Sequence, residues 1–336
     1  MDESAPDERS IVAAFGLRGR IGELVAVRGA WSNRVYRLVV GSDVYATKEM
    51  RNPWDIVQWR EWLDEAWRFE QRAIEAGIVA PTPVPAPDGS CLAEVDRRGG
   101  GSCSVRLHHW VDGTPVPLGP ATRELAMWAG ETLARLHALR VAPANRAVFP
   151  TLNTINAERW PLLVAQAASA RVPWAPEAAA AAATVALIAS MAIAAGDGRD
   201  EEVMTHGDID QKNVLLVDGQ PVLCDWDVAA PFVPRREVAD VAMSFGVWER
   251  FDIAREVIGA YRSAGGELGS LTSRDIAQPL MIGIDWIALN IERALRLRPV
   301  TDHEAELGES LVPGLLRTLH RSIVLSEDIT SLLTPT

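Results

Sequence analysis

The chain has 336 residues and a formal net charge of −12, a balance that argues against non-specific nucleic-acid binding, which needs a basic surface. Its length allows two lobes with a substantial core, and 48% hydrophobic with 23% charged residues is ordinary for a soluble globular protein. Cys91, Cys103 and Cys224 have neither zinc-site spacing nor the number a disulfide framework needs. The polar, acidic start MDESAPDERS has no signal-peptide core, so a reducing cytoplasm is the expected setting.

Glu23 to Val27 predicts a strand, Arg37 to Val40 a second and Val44 to Met50 a third, with a turn at Gly41-Ser42-Asp43. A strand, a polar loop and two more strands, the last carrying a lysine near its end, resembles the order of the nucleotide-covering sheet in kinases. That makes Lys48 the candidate for the α- and β-phosphates. The loop from Arg28 to Tyr36 keeps one glycine, Gly29, of a glycine-rich phosphate loop. Ser32 and Asn33 in it carry groups able to bind phosphate oxygens.

Trp54 to Ala76 predicts an amphipathic helix with Ile56, Trp59, Leu63, Ala66, Trp67 and Ile74 on its apolar side. A lysine on phosphates needs a carboxylate to fix it, and Glu61, Glu65 and Glu70 compete, each with a solvated helix face as the alternative. Pro81, Pro83, Pro85 and Pro87 end the helix. Leu92–Asp96 and Ser104–His108 flank Gly99-Gly100-Gly101 as the last hairpin of the small lobe.

Thr122 to Leu139 predicts a helix, and Ala142 to Pro176 shows no strong period. Ala178 to Ala195 has the length of a membrane span without charge, but alanine contributes little burial. A close-packed interior helix is expected instead.

The stretch MTHGDIDQKNVLLVDGQPVLCDWD carries the most chemistry. Two short apolar runs surround Asp218-Gly219, a hairpin turn signal. Asp208 and Asn213 therefore lie on a loop entering a hairpin, and Asp225 sits where its second strand ends. Asp208 can accept a hydroxyl proton, while Asn213 and Asp225 can hold Mg²⁺ on nucleotide phosphates. Asp227 contacts the acceptor or caps the next turn.

This segment resembles the catalytic and metal loops of the aminoglycoside phosphotransferase family, which carries His-Gly-Asp and commonly Asp-Trp at these places. The resemblance covers about residues 21–258. It implies an α+β, bilobal protein-kinase-like fold, with a five-stranded antiparallel sheet and one main helix in the small lobe and a mostly helical large lobe. Residues 1–108 would be the small lobe, 109–113 the hinge and 114–336 the large lobe. The helix end from Phe69 to Ile78 resembles the family's, which selects Glu70 as the partner of Lys48 and keeps Glu65 second. Ser32 and Asn33 match small and polar residues often found in the family's phosphate loop. His109-Trp110-Val111 resembles the hinge, where backbone groups of His109 and Val111 would bind adenine. Asp240 matches an acid that supports the catalytic loop; a helix N-terminal acid is the equal alternative.

Later helices are expected over 238–248, 250–263, 273–297 and 304–333. Asp285 and Glu292, seven apart, share one face of the third. With the acidic balance of the chain they suggest a cationic acceptor, solvent exposure being the alternative. The function implied is ATP-dependent phosphorylation of a small-molecule hydroxyl, with GTP as the alternative donor and Mg²⁺ as metal. Candidate acceptors are an antibiotic, an amino sugar, or a metabolite of the choline or homoserine type. The rivals are a nucleotide-binding protein without catalysis and a protein kinase; no nucleic acid or membrane partner is expected.

Overall fold

The computed structural model describes residues 4–27, 33–52, 56–149, 154–196, 198–269 and 271–326. A short helix, α1 (Glu8–Ala14), is capped by the Asp7 carboxylate, which accepts the Ser10 N–H at 2.9 Å. Seven residues are too few for a helical period to show in sequence. The antiparallel strands β1 (Ile21–Val27), β2 (Arg34–Val40) and β3 (Asp43–Glu49) follow, then α2 (Trp59–Glu75), β4 (Pro83–Val84), β5 (Ala93–Asp96) and β6 (Ser102–His109). The sheet order is β1-β2-β3-β6-β4, with β5 also paired to β6. This gives six strands where five were expected. The extra one is the proline-started pair at the sheet edge, where a missing N–H is tolerated.

Strand alternation divides this sheet cleanly. Tyr36, Leu38, Val40, Tyr45, Val105 and Leu107 pack with Ile11 of α1 and Phe15 just after it. Lys48 of β3 stands directly opposite Arg106 of β6, so both occupy the other face, toward α2. Helix α2 begins at Trp59 rather than Trp54. The Asn52 side chain accepts the Ile56 N–H and donates to the Ile56 carbonyl, and Ile56 to Gln58 are not helical; Trp54 lies outside the described residues. The helix ends at left-handed Gly77, and the Ile78 N–H returns to the Ala73 carbonyl.

The rest of the chain is mostly helical: β7 (Thr114–Pro115), α3 (Arg123–Ala138), α4 (Ile155–Ala170), α5 (Ala175–Ala180), α6 (Ala182–Ala195), β8 (Val203–Thr205), β9 (Val214–Val217), β10 (Gln220–Leu223), β11 (Ala230–Phe232), α7 (Pro234–Phe245), α8 (Phe251–Ser263), α9 (Ala277–Ala294) and α10 (Asp302–Ser326). One large core joins these helices to Ala66, Phe69 and Ala73 of α2. Helix α3 crosses α8 so closely that a methyl group on Gly130 would lie 2.1 Å from the Val257 carbonyl oxygen.

Three expectations are corrected. Helix α4 occupies the stretch without a strong period, because only Trp160, Leu163 and Ala167 of it are fully buried and Pro161 interrupts it. The alanine-rich helix is two, broken at Ala181. The longer, α6, exposes Leu187 and Ile193 while burying Val185, Ile188 and Ala192, so it is not interior on all sides. Helix α7 starts four residues early because Pro234 suits the first helical position. No helix among the described residues is long and apolar enough to cross a membrane.

Candidate active site

Strand β8 delivers His206-Gly207-Asp208 to the front of the helical region. A 3-10 turn at Gln211–Asn213 then leads into the β9–β10 hairpin, turned by Asp218 and Gly219 at positive φ. The Cys224 N–H donates to the Asn213 carbonyl at 2.8 Å, which sets Asn213 and Asp225 on adjacent chain ends. Gly207 sits at φ +78 with the Val228 carbonyl 3.0 Å from where a Cβ would stand, so the turn before Asp208 requires glycine.

His206 is fully buried, and its Nε2 lies 2.9 Å from the Cys224 carbonyl while its Nδ1 accepts the Asp208 N–H at 3.3 Å. These bonds suit the neutral ring protonated at Nε2. Burial holds the pKa below the usual histidine value despite Asp208 nearby. His206 is thus a brace between the two loops rather than an acid or base.

Asp208 has both oxygens engaged. Oδ1 accepts from Lys212 Nζ at 2.8 Å and Oδ2 from Asn213 Nδ2 at 2.9 Å. Burial raises its pKa against the opposing pull of Lys212, with Asp210 and Asp225 adding to the rise. The Asn213 amide nitrogen is committed to Asp208, which leaves its oxygen for a metal. Asp225 takes a left-handed backbone conformation, φ +67, at the end of β10 and is 40% exposed. One amide oxygen and one carboxylate suit Mg²⁺, which keeps several waters and phosphate oxygens in its shell. Among the described residues no group of three or more His, Cys, Asp or Glu could hold a metal by itself.

Lys48 reaches this site, but not through Glu70. Its ammonium pairs with Asp225 and Asp227. Burial pushes its pKa down, and the two carboxylates outweigh that and hold it above its ordinary value. Glu70, fully buried, is instead paired with Arg106 through one oxygen and lies 2.9 Å from His108 Nε2 through the other. Glu65 is not the partner either, for it accepts from Arg68 and from the Ala144 N–H. The expected contact of Asp227 with an acceptor is also replaced: it is 5% exposed and held by Arg106, Lys48 and the Asn33 amide. Asn33 in turn accepts the Arg51 N–H at 2.9 Å, so here it ties the sheet to Asp227. Ser32 lies outside the described residues.

At the crossing after β6 the His109 N–H donates to the Thr82 carbonyl and the Trp110 N–H to Val44. The His109 N–H is thus committed to the sheet and is not open to a ligand. Far from a free acidic face, Glu292 is paired with Arg159 at 2.7 Å and faces Arg298 at 3.7 Å, and Asp285 accepts from Asn156 at 2.9 Å. This takes the Asp285/Glu292 face away as a motive for a cationic acceptor and leaves only the acidic balance of the chain, since Glu292 already has its cations.

Three site residues escape the sequence reading. Lys212 lies four residues after Asp208, a spacing that puts both on one side of a helical turn. Arg106 is a charge in the middle of an otherwise buried strand, SCSVRLHH, which is its signal. Glu237, in the first turn of α7, accepts the Gly207 N–H at 3.1 Å and lies 2.7 Å from His137 Nε2. It holds the loop before Asp208 through one direct hydrogen bond, the kind of support one reading expected of Asp240.

The model of the phosphotransferase enzyme family matches residues 23–271. No curated protein matches the chain by sequence. Among solved structures, a spectinomycin phosphotransferase in complex with ADP and spectinomycin is 12% identical with a TM-score of 0.67, over 93% of this chain and 96% of that one. An amicoumacin kinase in complex with AMP-PNP and Ca²⁺ is 12% identical with a TM-score of 0.64, over 96% and 95%. An aminoglycoside phosphotransferase from Alicyclobacillus acidocaldarius is 15% identical with a TM-score of 0.57, over 99% and 96%. At these identities the likeness shows the kinase-like fold alone. The family model spans most of the chain, including the sheet with Lys48 and the hairpin with Asp208, Asn213 and Asp225, and the protein belongs to the phosphotransferase enzyme family.

Proposed function

We propose that the protein is an ATP-dependent kinase acting on a hydroxyl group of a small molecule. One observation carries the reading. Asp208, Asn213, Asp225 and Lys48 lie close together: Asn213 bonds Asp208, its carbonyl accepts from Cys224 beside Asp225, and Asp225 pairs with Lys48. This set supplies a proton acceptor, two oxygen ligands and a cation for phosphate.

Asp208 takes the proton of the acceptor hydroxyl as that oxygen bonds to the terminal phosphorus. The bond from phosphorus to the bridging oxygen breaks, and ADP leaves with its electron pair. A raised pKa makes Asp208 a better base than an exposed aspartate. Asn213 and Asp225 would hold Mg²⁺, which when bound neutralises phosphate charge. Lys48 pairs with Asp225 and Lys212 with Asp208, so each of these carboxylates has a cation beside it. Catalysis is then mostly positioning and electrostatics. The backbone of His109 and Val111 offers polar groups to the adenine.

Solved proteins of this fold include kinases named for spectinomycin, amicoumacin and aminopropanol, and a choline/ethanolamine kinase family protein. Those names define a panel of acceptors to be incubated with labelled ATP and Mg²⁺. Phosphate transfer to one of them, absent in Asp208→Asn, supports the reading. Nucleotide binding without transfer to any member and without ATP hydrolysis favours a binding protein instead.

A further inference from the structure

Lys48 and Arg106 stand opposite each other on neighbouring strands. Two like charges in that position repel unless a carboxylate lies between them. Asp227 is that carboxylate: Oδ1 accepts from Arg106 Nη1 and Oδ2 meets the Lys48 ammonium. On its other side Arg106 Nη2 donates to Glu70. Arg106 is fully buried and its guanidinium cannot deprotonate, so its counter-ions are obligatory. Both Glu70 oxygens are taken, one by Arg106 and one by His108. A Glu70 that turned to Lys48 would strip Arg106 of one counter-ion in the interior.

We propose that Asp227, clamped by the buried Arg106, is the carboxylate that positions Lys48 for the nucleotide phosphates, and that Glu70 reaches Lys48 only through the Arg106–Asp227 link. The assignment rests on the nucleotide-binding reading above and deepens it. It separates the two aspartates of the Asp-Trp-Asp segment. Asp225, 40% exposed and without an arginine partner among the described ion pairs, is free to leave Lys48 for a metal. Asp227, 5% exposed and held by Arg106 and Asn33, stays with the lysine. Asp227, and Glu70 behind it, are positioning residues toward Lys48, not contacts with the reacting atoms.

The experiment measures affinity for Mg–AMP-PNP by calorimetry in the full chain, with a thermal melt of every variant as a folding control. Asp227→Asn should weaken binding by about tenfold, the effect of one lost charge-assisted hydrogen bond. Glu70→Gln should weaken it in the wild-type background and add less than about twofold on top of Asp227→Asn, because serial links couple non-additively. An unchanged affinity in Asp227→Asn overturns the proposal, as does a Glu70→Gln loss of equal size in both backgrounds. A crystal structure of the wild-type Mg–AMP-PNP complex tests the same point without substitution. Lys48 on Asp227 supports the link, and Lys48 on Glu70 refutes it. Failure of the wild type to bind Mg–AMP-PNP in the first place would overturn the nucleotide reading itself, a result distinct from all of these.

Discussion

Gly207 donates its N–H to Glu237, which stands thirty residues further along at the start of α7. The other carboxylate oxygen of Glu237 lies 2.7 Å from His137 of α3, and the far nitrogen of that ring lies 3.0 Å from the Tyr261 hydroxyl of α8. Three helices thus reach the residue beside Asp208 through one carboxylate. Glu237→Gln keeps the shape and removes the charge that the Gly207 N–H and His137 share. Turnover should fall about 10²-fold, the effect of a small misplacement of a catalytic group, while nucleotide affinity stays within about twofold. Steady-state kinetics with nucleotide binding in parallel checks this; equal losses in both would make Glu237 a general folding residue.

Asp208→Asn should abolish transfer and leave nucleotide binding intact. At least ~10²-fold of turnover rests on a positioned base. Lys212 would lose its 2.8 Å partner and keep Asp210 at 4.0 Å, so the loop should remain folded. Near-normal turnover by this variant would remove Asp208 from its assigned role.

Asp225→Asn tests the metal. Asparagine tolerates the left-handed conformation that Asp225 adopts, so the backbone should hold. Losing a charged oxygen ligand should raise the Mg²⁺ concentration for half-maximal activity by about tenfold or more. A Mg²⁺ titration that does not move would place the ion elsewhere.

Asp240 gives a pH signature. Burial pushes its pKa up to about 7, and Asp208, Glu237 and Asp210 push the same way. The native state therefore holds this proton where the unfolded chain, at about 3.9, has released it. Between about pH 4 and 7 the native state binds more protons than the unfolded one, so stability falls as pH rises through that window. Asp240→Asn removes the penalty. Its gain in unfolding free energy, measured by urea melts without nucleotide, should grow from near zero at pH 4 to on the order of 2–4 kcal/mol at pH 8. An equal gain at both pH values would mean that Asp240 does not titrate this way.

Gly130→Ala should be among the most damaging alanine substitutions, because the new methyl would meet the Val257 carbonyl and the Tyr261 nitrogen, both backbone atoms. A loss of several kcal/mol is expected from overpacking two helices, visible as a lower midpoint in a thermal melt. A wild-type melt would show that α3 and α8 can separate freely.

The β9–β10 hairpin and the loop before it were legible because their pattern is local. His206 to Asp227 lies within one short segment whose turn, Asp218-Gly219, announces itself. The partners of Lys48 were not. Lys48 and Arg106 meet through the register of β3 with β6, and no local pattern records which carboxylate the fold places between them. Helix α2 carries several glutamates, and resemblance selected one whose burial is real and whose partner is different. Glu237 looked like an ordinary first-turn acid because the N–H that it accepts belongs to a residue thirty positions away. Asp285 and Glu292 were read as a face, yet α4 covers that face with Asn156 and Arg159 from a stretch whose helical period is weak.

Lys48 lodged between Asp225 and Asp227 makes the resting cleft an ion exchanger charged with its own cation. A divalent ion that takes Asp225 competes with the lysine for it, and a displaced lysine keeps Asp227 alone. A nucleotide alone offers phosphate to Lys48 but leaves Asp225 facing like charge. Each ligand resolves the deficit the other creates, so the pair should bind with an affinity that neither shows singly. The reciprocity is thermodynamic: whatever factor the metal adds to nucleotide affinity, the nucleotide returns to the metal. A site arranged this way should favour metal-complexed over uncomplexed nucleotide by charge balance.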